Sequence, residues 1–214
     1  MSDPAQTLIQ RVTDTLYAPF RYSGSGIPEG VQTSEPGWIY RDTNNGLLWF
    51  KKTGSAATGW KALGGSLFSN ITTASTTGAA TDTLQSDTIP AGTLQTNGDV
   101  IEFEYAGTIT TGSATALYLK FNGSNILIQT VTPNGSGIPW RITGKLIRVS
   151  SSTIRATLSI VYGNDAGITT LAQSFLYDVT ASSASSLVLA LSTVLTATDK
   201  CSKYLGTAKL VPAP

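Results

Sequence analysis

The chain has no histidine and a single cysteine, Cys201, among its 214 residues. The commonest general base and metal ligand is therefore missing, and with it Ser-His and Cys-His nucleophile activation and His-rich zinc chemistry. One cysteine cannot close an intrachain disulfide, and Cys201, at the start of a strand-like run, reads as a small buried hydrophobe. Charge is scarce as well: Asp, Glu, Lys and Arg make up 13% of the residues, and 14 cationic against 13 acidic side chains leave a formal net charge of +1. A nucleic-acid surface needs clustered cations, yet the longest cationic run is the pair Lys51-Lys52. Nucleic acid is not expected as a partner. No apolar run nears the roughly 18 residues of a membrane span, and the N-terminus lacks the basic-then-apolar pattern of a signal peptide. A soluble protein, made without an export signal and not inserted in a membrane, is expected.

What is abundant is Thr (32) and Ser (23), about a quarter of the chain together, with 21 Gly. Thr is β-branched and Gly is costly inside a helix, so this bias favours strands and turns. Three zones follow along the chain. In residues 1–28, Ser2 or Asp3 suits an N-cap, Pro4 the first helical position, and Leu8, Val12 and Leu16 recur every four residues. The spacing predicts a helix that stops before Pro19. About four turns with a narrow stripe are marginal alone, so the helix needs a surface: the protein's own second domain, or a partner or sister chain. Ser23, Gly24, Ser25, Gly26 and Pro28 read as a flexible tether behind it.

Residues 29–69 hold Trp38-Ile39-Tyr40-Arg41, the turn Asp42-Thr43-Asn44-Asn45-Gly46, and Leu47-Leu48-Trp49-Phe50-Lys51. Two strand-like runs around an Asn-Gly predict a hairpin. A second turn, Thr53 to Thr58, leads to Gly59-Trp60-Lys61. Three of the four tryptophans, Trp38, Trp49 and Trp60, fall here, more than a piece this small is expected to bury by itself. They fit either an aromatic mini-core or a sugar-stacking face.

The succession Pro36-Gly37-Trp38-Ile39-Tyr40-Arg41-Asp42, Gly46-Leu47-Leu48-Trp49-Phe50-Lys51, Thr53-Gly54 and Thr58-Gly59-Trp60-Lys61 resembles a short hairpin module of bacteriophage tail fibres and related virion proteins. The likeness covers about 30 residues. It implies a structural class, with the aromatics packing the hairpin against neighbouring chains, rather than an activity.

Residues 70–214 read as β throughout. Alternation is clearest in Ile101-Glu102-Phe103-Glu104-Tyr105, and Asn97-Gly98, Asn122-Gly123 and Asn134-Gly135 punctuate the runs. Eight or nine short strands with no helix between them predict an antiparallel β-sandwich, jelly-roll-like. The stretch Thr88-Ile89-Pro90-Ala91-Gly92-Thr93-Leu94 and Gly98-Asp99-Val100-Ile101-Glu102 resembles the opening of jelly-roll heads in phage fibres and receptor-binding proteins.

The fold class expected is thus mainly β: an N-terminal attachment helix and tether (1–28), a β-hairpin linker module (29–69) and a sandwich head (70–214). Glu102 and Glu104 share a strand face, the arrangement of a glycosidase pair but also of solvated acids. Asn164 and Asp165 fit a calcium cage or a plain turn. Neither a metal nor a cofactor is expected, and the protein is read as non-enzymatic. The expected function is that of a phage virion protein, a tail fibre or similar appendage mediating host attachment, located on the virion after synthesis in the host cytoplasm. A capsid decoration or cement protein is the alternative, and a glycan-cleaving tailspike the third reading. Partners implied are sister chains in a homotrimer, baseplate or other virion proteins bound through the N-terminal segment, and a host surface glycan. Leu8, Val12, Leu16, Trp38, Trp49 and Trp60 are the candidates for attachment and oligomerisation. Asn134, Trp140, Tyr162, Asn164 and Asp165, at two longer loops, are the candidates for receptor contact.

Overall fold

The structure, a computed structural model, describes residues 22–44, 46–77, 81–111, 115–131, 135–163, 171–195 and 199–213. The chain divides into two compact units with the boundary between Leu63 and Gly64. The first carries β1 (Tyr22–Gly24), β2 (Ile39–Asp42), β3 (Leu48–Lys51) and β4 (Trp60–Ala62), hydrogen-bonded in that order. β1 runs parallel to β2 and the other pairs are antiparallel. The expected hairpin forms because Asp42 closes its turn: its N–H donates to Leu47 O, its carbonyl accepts from Gly46 N–H, and its Oδ1 accepts from Asn44 N–H. Period-two alternation then puts Tyr40 and Asp42, Trp49 and Lys51, and Trp60 and Ala62 on one buried face.

One expectation for this region needs correction. Residues 23–28 are not a free tether: β1 pairs with β2, Gly26 N–H donates to Asp42 Oδ1 and Ser25 Oγ to Asn44 Oδ1. The helix expected to stop before Pro19, with Leu8, Val12 and Leu16, lies outside the described residues. No helix occurs among the described residues, so that part of the fold class is not borne out.

The second unit holds β5 (Gly65–Asn70), β6 (Ala74–Thr77), β7 (Thr81–Ile89), β8 (Val100–Thr111), β9 (Thr115–Phe121), β10 (Ser124–Val131), β11 (Gly135–Arg148), β12 (Thr153–Tyr162), β13 (Leu171–Thr180), β14 (Leu187–Val194) and β15 (Lys200–Val211). They form a four-stranded sheet, β10-β9-β14-β7, and a seven-stranded one, β13-β12-β11-β8-β15-β5, with β6 also on β15. All pairings are antiparallel, as a β-sandwich requires. The late strands β14 and β15 lie beside the early strands β7 and β8, a Greek-key feature. The hairpins β9–β10 and β11–β12–β13 stay within one sheet.

The head boundary is Gly64 rather than residue 70, because β5 pairs with β15. Asn122-Gly123 makes the β9–β10 hairpin with φ positive at both residues, 48° and 81°, the turn that Asn-Gly favours. The core follows alternation. On β12, Ile154, Ala156, Leu158, Ile160 and Tyr162 are buried while the residues between them keep solvent contact, and each large apolar side chain so buried contributes about 1.5–3 kcal/mol.

Candidate functional site

Antiparallel pairing places directly opposed residues on the same face, and across the seven-stranded sheet this aligns three rows. The middle row is Phe175, Leu158, Gly144, Phe103 and Ala208. Leu158, Phe103 and Ala208 are buried toward the sandwich interior, so on the outer side this row offers only backbone. One flanking row runs Thr157, Lys145, Glu102, Lys209 and Ser66, and the other Ser174, Ser159, Thr143, Glu104, Thr207 and Ser69. These side chains point outward and wall a trough of about 890 Å3. From strand spacings it extends roughly 24 Å across six strands, with walls about 7 Å apart. On the interior side of this row Gly144 makes room for its neighbours, since a Cβ there would meet Phe103 Cζ at 2.5 Å and Thr157 O at 2.7 Å.

The charges of the walls are paired. Glu102 binds Lys145 (3.0 Å) and Lys209 (2.9 Å), and Glu104 binds Arg141 (2.7 Å). Hydrogen bonds from Lys209 and then Lys145 hold the Glu102 carboxyl below the usual range. A general acid needs the opposite shift, so Glu102 stands as a paired anion rather than a proton donor. Five hydroxyls, on Thr143, Ser159, Ser174, Thr207 and Ser69, make the second wall almost entirely of small donor-acceptor groups.

Of the residues singled out from the sequence for receptor contact, the two described ones fall elsewhere. Asn134, Asn164 and Asp165 lie outside the described residues. Trp140 and Tyr162 oppose each other on β11 and β12 and are 2% and 8% exposed. They are core, and a ring shielded on both faces cannot stack on an external sugar. Cys201 is fully buried, which pushes its thiol up to about 12, with Thr193 and Trp140 partly offsetting the burial. A buried polar cluster lies at β7 and β15: Gln85 donates to Asp87, Gly206 leaves the space Gln85 fills, and burial pushes Asp87 and Tyr105 up and Lys203 down.

In the first unit Trp49 and Trp60 are buried at 0% and 3% exposure. Trp60 Nε1 donates to Gln32 O at 2.7 Å, its ring meets Tyr40 edge-on at 6.0 Å, and the Lys51 ammonium sits 5.5 Å from its centroid. The Glu29 carboxylate accepts from the backbone N–H groups of Gly59 and Trp60. The Lys51 ammonium donates to Ala56 O and Thr58 O, tying down the loop before β4. Trp49 and Trp60 are thus covered within one chain and do not supply the exposed apolar surface expected to hold a trimer. Trp38, half-buried, stacks on Tyr22 at 4.9 Å.

Sequence reasoning missed the trough because its walls are ordinary outward strand positions. Only Glu102 and Glu104 drew notice, and the register that aligns hydroxyls from five strands is set by pairing across the whole head. No family model and no curated protein matches the chain. Among solved structures it is similar to the CBM2 module of the evolved Dit of Lactobacillus casei BL23 phage J-1, at 10% identity over 60% of this chain and 69% of that one, with a TM-score of 0.29. It is also similar to infectious bursal disease virus, Gx strain, at 16% identity over 79% of this chain and 53% of that one, with a TM-score of 0.23. Likeness at this level shows no family.

Proposed function

We propose that the chain is a phage virion protein, a tail fibre or similar appendage, whose head holds a linear polysaccharide of the host surface along the trough. The observation that carries this reading is the pair of outward polar walls over a floor of bare backbone. Such a channel suits an extended, hydroxyl-rich chain, because its hydroxyls exchange hydrogen bonds with Ser and Thr while no unpaired charge demands an ionic ligand. The hairpin motif from Gly37 to Trp60 supports the virion assignment. The N-terminal segment, with Leu8, Val12 and Leu16 at one helical spacing, is assigned attachment to the rest of the particle. Individual contacts are weak in a shallow open channel, and several copies on one particle multiply them.

The full-length protein should compete with virions for adsorption to host cells and should bind purified host polysaccharide. Thr143→Trp with Ser159→Trp fills the trough from outward positions and should cut that binding roughly tenfold or more, with the thermal midpoint retained. Wild-type protein that neither binds nor competes would sink the proposal. Gold-labelled antibody should decorate the tail; label confined to the capsid would favour a decoration protein.

A further inference from the structure

The sandwich has four sheet edges: β7 and β10 on the smaller sheet, β13 and the β5/β6 side on the larger. Three of them carry devices that oppose strand addition. β10 is bulged between Asn125 and Leu127. β7 is bulged opposite the Leu191–Ser192 step and carries Asp82 and Asp87. β5 and β6 are short, six and four residues, and β5 is bulged against β15. β13 is different. Its ten residues run in unbroken register with β12 and include no Lys, Pro or Gly. Its one charge, Asp178, is held by Arg155 of β12 at 2.7 and 2.8 Å. Leu176 and Tyr177, at its middle, are 65% and 41% exposed. No strand among the described residues pairs with its outer side.

We propose that β13 pairs antiparallel with β13 of a second copy about a twofold axis through Leu176, joining two seven-stranded sheets into one. The strand is self-complementary in that register. Leu176 meets the partner's Leu176, Phe175 meets the partner's Tyr177, and Ser174 meets the partner's Asp178, so apolar faces apolar on both sides and a hydroxyl faces a carboxylate. Centring on Tyr177 would set Leu176 against the partner's Asp178, and centring on Asp178 would oppose two carboxylates. Occupancy by a second copy rather than an unrelated strand follows from this self-match. The pairing does not depend on what the trough binds, although Ser174 brings the trough's hydroxyl wall up to the seam. One strand pair with few apolar side chains is small beside a standard interface, so the dimer should dissociate on dilution.

Sedimentation of the full chain over a concentration series should show a monomer–dimer equilibrium. Leu176→Lys should abolish the dimer at unchanged thermal midpoint, while Ile128→Lys, at a 52%-exposed position on β10, should leave it intact. The register is read by oxidation. Facing Cα atoms lie about 4.5–5.5 Å apart, within disulfide reach, so Leu176→Cys should cross-link with itself. Ser174→Cys and Asp178→Cys should cross-link with each other and not alone, and buried Cys201 does not compete. A monomer throughout, a trimer, a dimer that survives Leu176→Lys, or a dimer without the Leu176→Cys cross-link would each overturn the proposal.

Discussion

The adjacent lysines Lys51 and Lys52 offer the sharpest test of how the hairpin unit is held. They are neighbours in sequence, yet Lys51 is fully buried and Lys52 exposed, because alternation on β3 turns its last residue, Lys51, inward and the strand ends before Lys52. Replacing Lys51 with Met keeps the volume and removes the charge. Lost are two charge-assisted hydrogen bonds, to Ala56 O and Thr58 O, worth about 1.5–3 kcal/mol each, and a cation–π contact worth about 0.5–2 kcal/mol. Regained is the desolvation cost of a buried ammonium, several kcal/mol, and the freed carbonyls can turn to water. The net loss expected is about 2–3 kcal/mol, which raises the open population of the unit about 30- to 150-fold. Three of the four tryptophans are in this unit, so denaturant unfolding followed by tryptophan fluorescence reports it, and proteolysis within residues 52–59 reads the same opening. Lys52→Met should change neither by more than about 0.5 kcal/mol. If Lys51→Met is as stable as the parent, or more so, the ammonium is a tolerated burden and not the clamp of the loop.

Two further predictions concern the head. Gly107→Ala should destabilise it by about 3 kcal/mol, because the new Cβ would stand 1.8 Å from Ser202 O and 2.7 Å from Trp140 Cζ2, forcing β8 from β15; Gly123→Ala, in open space with φ +81°, should cost only about 1 kcal/mol, and equal melting shifts for the two would refute the argument. Glu102 has a folded pKa depressed below its ordinary 4.5 by Lys209 and Lys145, so its stabilisation is present above pH about 4.5 and is lost as pH falls through the folded value. The melting-point gap between wild type and Glu102→Gln should therefore be open at pH 7 and close on acidification; a gap independent of pH would show that the ion pairs contribute nothing.

Local chemistry was legible from the residues alone. The Ser/Thr/Gly bias and the Asn-Gly turns foretold a β-rich chain, and the runs around Asn45-Gly46 and Asn122-Gly123 became hairpins because those signals act within a few bonds. Alternation in Ile101-Glu102-Phe103-Glu104-Tyr105 likewise marked Ile101, Phe103 and Tyr105 as residues of one face, and all three are buried. What the tertiary structure decided depends on partners distant in sequence. Trp140 and Tyr162 looked like loop-edge aromatics until strand pairing faced them inward, and the pair Lys51-Lys52 gave no sign of which lysine the hairpin unit would bury. Ser69, Thr143, Ser159 and Thr207 form one wall only because strands separated by as many as 138 positions share a register. The open edge at β13 has the same origin: a strand is an edge only when its sheet ends beside it, and that is a property of the assembled sheet.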